Sequence, residues 1–229
     1  MTDTAIVQQR NPSILSEGVL AGLRMSTARQ LFTADWKAEL ILGGHAFNVS
    51  VGGIAAGGTE SLVTGGGAGT VIDSDQPEMI VGVDEGKYLI PLGFTCAARV
   101  DLDANAETGE IILFADTTQA PPSSVTGVVE TKSSLLDSGD NSSVARALSA
   151  ITADITDPVA SIVLGFATIL NAQVTAAGEH WQELRLDYDP SYPVLLKGPC
   201  SVVACWGGTA AVTAIASFSW AEVPLDRFD

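Results

Sequence analysis

Basic side chains are few in this sequence. Eleven lysines and arginines stand against 27 acidic residues in 229, which leaves a formal charge of −16. A surface of that sign repels phosphate backbones and anionic bilayers, so neither is expected as a main partner. Histidine is scarcer still. Only His45 and His180 are present, one in Gly-Gly-His and the other in Gly-Glu-His. Neither has a Gly-x-Ser-x-Gly nucleophile turn to work with, so no hydrolytic triad is expected. Three cysteines, Cys96, Cys200 and Cys205, make an odd set at no metal-ligand spacing. Each lies in an apolar run, which predicts buried free thiols. The amino terminus has no basic segment followed by an apolar core, so no secretory leader is read there. The longest uncharged span, 198–220, is broken by Gly207-Gly208 and has a two-residue period, which predicts strands where a membrane helix would need continuous apolar residues.

What the chain does have is small and β-branched residues, with 46% hydrophobic residues and 23 glycines. That is a globular composition with ample material for a core. From 212 to 220 the residues alternate without a break. Val212, Ala214, Ala216, Phe218 and Trp220 fall on one face, and Thr213, Ile215, Ser217 and Ser219 on the other. Successive strand side chains point to opposite faces, so this is a half-buried strand. Gly207-Gly208 separates it from an earlier apolar run and predicts the tight turn of an antiparallel hairpin.

Further strands are predicted over 38–51, from Tyr88 to about 100, over 110–115 after a turn at 101–109, and over 125–131, 162–170 and 181–186. Leu40, Leu42, Phe47, Val49 and Val51 carry the first of these. Residues 1–37 are expected to form an arm or short helix, with Leu15, Val19 and Leu23 at four-residue spacing. Arg10, Arg24, Arg29 and Lys37 give this arm a net +1, against −17 for the rest. A helical insertion is expected near 141–156, capped by Asn141 or Ser142, with Val144, Leu148 and Ile151 at helical spacing. The expected organisation is therefore an arm over 1–37 and an all-β, antiparallel sandwich over 38–229, with one or two short helices.

Candidate chemistry is thin. The glycine-rich stretch 52–69 lacks the Lys-Ser/Thr ending of a phosphate-binding loop. Asp101, Asp103, Asn105, Glu107 and Glu110 form the densest group of oxygen ligands. Glycine stands ninth in that run, where a calcium loop needs it sixth, and Ile112 takes the place of the closing glutamate. An acidic hairpin turn is the reading adopted for 101–110. Asp187 and Asp189 flank Tyr188 and share a strand face, which suits a surface loop or a subunit contact as well as acid–base work. Trp36, Trp181, Trp206 and Trp220 would have to be exposed to stack on sugars, and core or interface positions are expected for them. No catalytic residue, metal ligand or cofactor is assigned.

Two segments resemble jelly-roll structural proteins of viral particles. One runs over 76–100, from Gln-Pro-Glu through Leu-Ile-Pro-Leu into a long strand. The other runs over 192–224, with Leu-Lys-Gly-Pro-Cys-Ser and a closing Trp-Ala-Glu-Val-Pro. The resemblance implies a jelly-roll subunit that self-assembles into an icosahedral capsid, with other copies and other virion proteins as partners. The virion is then its location, the protein being made in the host cytoplasm. A receptor- or carbohydrate-binding sandwich that decorates a particle is the alternative. Cupins share the fold but need a histidine cluster, and this chain has two histidines in all. Residues 1–23 hold a single basic side chain, Arg10, so direct binding of a genome is not expected.

Overall fold

The computed structural model describes residues 36–54, 60–65, 72–102, 107–123, 132–133, 143–149, 151, 154–170 and 181–225. The first half of the chain gives α1 (Trp36–Leu42), β1 (Ala46–Val51), β2 (Gly53–Ile54), β3 (Glu60–Ser61), β4 (Val63–Thr64), β5 (Met79–Val83), β6 (Lys87–Asp101) and β7 (Thr108–Asp116). The second half gives β8 (Lys132–Ser133), β9 (Arg146–Ser149), β10 (Ile162–Leu170), β11 (Trp181–Tyr188), β12 (Leu196–Lys197), β13 (Cys200–Gly208) and β14 (Ala211–Pro224). Two antiparallel sheets pack face to face. The first runs β11-β6-β14-β1-β8, with β12 added on β6 and β4 on β14. The second runs β10-β7-β13-β5-β9, and β2 with β3 makes a separate small ribbon. An all-β sandwich is the fold.

The alternation at 212–220 is realised in β14. Val212, Ala214, Ala216, Phe218 and Trp220 are buried between the sheets, and the intervening residues face outward. Phe218 stacks on Trp220 at 5.7 Å between ring centroids, and Phe47 of β1 lies 6.2 Å from the same indole. Cys96, Cys200 and Cys205 are free and buried, as expected. The second sheet is covered on both faces. Met79, Val81, Leu113, Val202 and Trp206 point into the main core, while Ile80, Phe114, Val203 and Cys205 pack outward under Leu148, Ile151, Ile72 and Ile155. This explains why β5 and β13 are apolar runs with no period of two.

Eight of the strands define the path: β1, β5, β6, β7, β10, β11, β13 and β14. The first pairs with the eighth, the second with the seventh, the third with the sixth and the fourth with the fifth, all antiparallel. The chain is thus one long hairpin rolled upon itself, and each crossing of the sandwich carries it from one sheet to the other.

That path corrects two local expectations. Gly207-Gly208 is not a hairpin turn, because β13 belongs to the second sheet and β14 to the first. It is a corner at which the chain changes sheets. Gly208 has φ of 147°, and a Cβ there would lie 2.1 Å from the Thr108 carbonyl oxygen, so only glycine fits. The segment between β6 and β7 is likewise a crossing between sheets. The two corners are tied together, since the Ala210 N–H donates to the Thr108 carbonyl at 3.1 Å and the Thr108 N–H to Thr209 Oγ1 at 2.8 Å.

Two further expectations change. The strand predicted over 38–51 begins only at Ala46, and α1 occupies the stretch before it. Lys-Ala-Glu-Leu favours helix intrinsically. Gly44, at φ of 73°, ends it with the N–H of His45 donating to the Leu40 carbonyl and that of Gly44 to the Ile41 carbonyl, a Schellman cap. Leu40, Ile41 and Trp36 then cover Ile90, Leu92, Ala221 and Val223. The register of β6 against β14 slips at Leu92, between Gly93 and Pro91, and this bulge reaims those side chains toward the helix. The helix expected over 141–156 is replaced by β9, which pairs with β5 from Gly82↔Arg146 to Met79↔Ser149. Residues 1–35 of the expected arm, the strand expected over 125–131, Asn141 and Ser142 lie outside the described residues.

Candidate functional site

The outer face of the first sheet carries short polar side chains in register. Asp187 of β11 stands opposite Thr95 of β6, Thr95 opposite Ser217 of β14, and Ser217 opposite Ser50 of β1. In the next row Gly93 stands opposite Ser219, and Ser219 opposite Asn48. With Asp189 just beyond β11, these rows floor a shallow hollow of about 390 Å³, lined by Gly93, Thr95, Asp187, Asp189, Ser217 and Ser219 among others. The structure thus brings together the two aspartates singled out from the sequence. The hydroxyl rows beside them were not legible there, because they arise from register between strands distant in sequence.

Both carboxylates are already occupied. Asp187 accepts a hydrogen bond from Arg185 Nε at 2.6 Å, and this bond holds its carboxyl below the usual range. Asp189 is paired with the Lys37 ammonium, which lies 5.5 Å from the centre of the Trp36 ring. Trp36 in turn donates from Nε1 to the Ser191 carbonyl at 3.2 Å. A general acid or base needs a carboxyl poised nearer neutrality than the depressed Asp187. No histidine is among the residues lining the hollow. His45 sits at the α1–β1 junction, where its carbonyl accepts from the Glu222 N–H at 2.9 Å, and His180 lies outside the described residues. The hollow offers hydrogen-bond acceptors and donors to a hydroxyl-rich ligand.

The tryptophans divide. Trp206 and Trp220 are core residues, donating from Nε1 to the Val63 carbonyl at 3.1 Å and to Glu222 Oε1 at 3.0 Å. Trp36 is half-buried and Trp181 is exposed. The calcium-like run is also divided. Asp101 closes β6 in the first sheet, Glu110 lies in β7 of the second, and Asp103 and Asn105 fall outside the described residues. Among the described residues no group of three or more His, Cys, Asp or Glu side chains is arranged to hold a metal ion. Burial pushes the Cys96 thiol up to about 12 and Cys200 to about 11, which leaves both protonated and unreactive.

Sequence reading missed two buried carboxylates that tie loops to the sandwich. Glu222 accepts from Ser143 Oγ, from the N–H of Val144 at 2.9 Å and of Ala145 at 3.3 Å, and from Trp220 Nε1. Asp116 accepts from the N–H of Thr118 at 2.7 Å, Thr118 Oγ1 at 2.6 Å, Gln119 Nε2 at 3.0 Å and the Val159 N–H at 2.9 Å. Burial alone would raise the Asp116 carboxyl, but these donors outweigh it and hold it below the usual range. Both acids stand at strand ends among apolar residues, and only the partner list marks them as anchors.

The remaining surface feature is apolar. In β10 the side chains of Leu164, Ala167 and Ile169 turn to the core, while Val163, Phe166 and Leu170 face outward and are 57%, 52% and 62% exposed. Among the described residues β10 is an edge strand, paired with β7 alone. Among the described residues no helix is long and apolar enough to cross a membrane. No protein-family model, curated protein or solved structure matches this chain.

Proposed function

We propose that the protein is a structural subunit of a viral particle, a jelly-roll domain that self-assembles into an icosahedral capsid. The observation that carries this reading is the strand path. A hairpin whose first strand pairs with the eighth and second with the seventh, wrapped so that its arms alternate between two sheets, is the path of a jelly roll. The same fold serves lectins and cupins, so surface chemistry has to separate them. The invested hydrogen bonds of the molecule hold loops on the sandwich: Glu222, Asp116 and the bidentate Arg146–Asp84 pair at 2.5 and 2.7 Å all do this. A rigid block with apolar surface on one edge suits assembly by geometry. Its charge of −16 fits a subunit that leaves its genome to other components.

A second reading, a carbohydrate- or receptor-binding module, is favoured by the hydroxyl rows beside Asp187 and Asp189. Its weak point is aromatic. Trp206 and Trp220 are in the core, Trp36 is engaged by Lys37 and Ser191, and the exposed Trp181 stands six residues along β11 from Asp187, so among the described residues no tryptophan lines the hollow.

The native size of the purified protein decides between them. Light scattering and electron microscopy, across salt and calcium, are expected to show closed shells, or trimers, pentamers or hexamers that assemble further. A protein that stays monomeric under every condition overturns the capsid reading.

A further inference from the structure

We propose that the hollow beside Gly93 binds a neutral sugar, as a single pyranose or a disaccharide. The inference rests on the second reading above, gives it a site and a ligand class, and holds whether or not the copies assemble.

Gly93 lies inside β6, where a glycine weakens the strand and marks a bulge or the close approach of another group. Packing explains other strand glycines of the sandwich. A Cβ at Gly82 would lie 2.2 Å from the Cys200 carbonyl oxygen, one at Gly109 2.6 Å from Val100, and one at Gly208 2.1 Å from the Thr108 carbonyl oxygen. At Gly93 a Cβ would meet the Tyr188 carbonyl oxygen at 3.5 Å, an ordinary contact, and among the described residues nothing closer. The neighbouring bulge does not demand glycine either, since Gly93 has no positive φ. Neither packing nor backbone accounts for this glycine. What its missing side chain leaves is the floor of the hollow.

The chemistry of the rim selects the ligand. Thr95 and Ser217 are exposed, Ser219 is half-buried, and Asp187 and Asp189 stand on the β11 side. Arg185 and Lys37 neutralise the two carboxylates through one oxygen each, and each carboxylate keeps lone pairs for a hydroxyl. An anionic ligand finds no uncompensated cation there and is repelled by a chain of charge −16. A cation finds both carboxylates taken. An apolar ligand would bury hydroxyls without partners. A pyranose suits all of these groups: its C–H face rests on the bare Gly93 backbone, and its rim hydroxyls pair with the serine, threonine and aspartate oxygens. At about 390 Å³ the hollow stands near the lower end of small-molecule sites, which limits it to one or two rings. For so small a ligand, with no tryptophan to stack on, a dissociation constant of about 1 mM is expected.

The test titrates the full chain with glucose, galactose, mannose, fucose, N-acetylglucosamine and lactose, read by saturation-transfer NMR. Gly93→Leu fills the floor. The pair Ser217→Ala and Ser219→Ala removes two hydroxyls and leaves the space. Thr213→Ala, farther along β14 and outside the hollow, is the control. Wild type and Thr213→Ala are expected to bind at least one probe with the same midpoint. Gly93→Leu and the serine pair are expected to weaken that binding about tenfold or more, with unchanged circular dichroism. Gly93→Ala is expected to unfold at the wild-type urea concentration or higher. A lower midpoint means that the fold needs this glycine and overturns the inference. Unchanged binding in folded Gly93→Leu overturns the hollow and moves the carbohydrate reading elsewhere on the molecule. If Gly93→Leu fails to fold, unchanged binding in the serine pair does the same. No transfer to any probe in wild type overturns the inference and the carbohydrate reading together, and closed shells in that same sample leave the capsid reading standing.

Discussion

At the scale of single residues, buried polar groups act in opposite directions according to their partners. The Glu222 carboxylate is met by four donors from two segments, Ser143 to Ala145 and Trp220. Glu222→Ala removes the acceptor that these donors share and leaves the buried Trp220 indole N–H without it, and is expected to lower unfolding free energy by about 1–3 kcal/mol in urea titration. Tyr188 is the converse. Its hydroxyl is buried with no hydrogen-bond partner among the described residues, so Tyr188→Phe removes only a desolvation penalty. The same titration is expected to show unchanged or higher stability, by up to about 1 kcal/mol. Burial of the alternating residues of β14 and of the three cysteines is readable in the sequence, because periodicity and apolar surroundings are local properties. The partners of Glu222 are not, since Ser143 stands 79 residues away.

At the scale of elements, local signals competed with sheet edges. Val144, Leu148 and Ile151 have helical spacing, yet the free edge of β5 claims 146–149 as a strand. Ala147 then enters the main core and Leu148 the outer cluster, so both faces are apolar and no period of two remains to be read. α1 was missed for a related reason: Leu40 and Phe47 lie on one apolar run that changes conformation at Gly44. The loops over the second sheet carry a further consequence. Gln76 Nε2 donates to Asp154 Oδ1 at 2.6 Å, and the Ile155 N–H to the Asp75 carbonyl at 2.9 Å. Asp75 hydrogen-bonds Asp73, which together with partial desolvation and the charges of Asp73, Asp154 and Asp157 raises its carboxyl from 3.8 to about 6. The folded state therefore holds this proton more tightly than the unfolded chain. That contribution is complete below about pH 4 and is lost as pH rises through 6. Asp75→Asn, uncharged throughout, is expected to raise Tm at pH 8 and change it little at pH 4 in calorimetric scans.

At the scale of the molecule, charge and path dominate. Copies bearing −16 repel at long range, and salt screens that repulsion while leaving apolar contacts intact. On the capsid reading, the onset of assembly is expected to move to lower protein concentration as sodium chloride rises from about 0.05 to 0.5 M, with Debye lengths falling from roughly 14 to 4 Å. An onset that moves the other way would mean that opposite charges hold the copies together. The class of fold is legible from strand count and turn spacing. The pairing of first with last is not, because nothing local distinguishes a corner such as Gly207-Gly208 from a hairpin turn.

That pairing has a consequence for synthesis on the ribosome. β14 lies between β6 and β1 and is the last of the eight strands to be made. Until it emerges, the first sheet has a gap at its centre, and neither β1 nor β6 has its main neighbour. Early docking is confined to pairs such as β7 with β10 and β6 with β11, whose contacts close over shorter stretches of chain. Chains arrested before Ala211 should stay sensitive to protease, and protection should arrive in one late step. On the capsid reading proposed above, a subunit timed this way cannot meet its neighbours half-made.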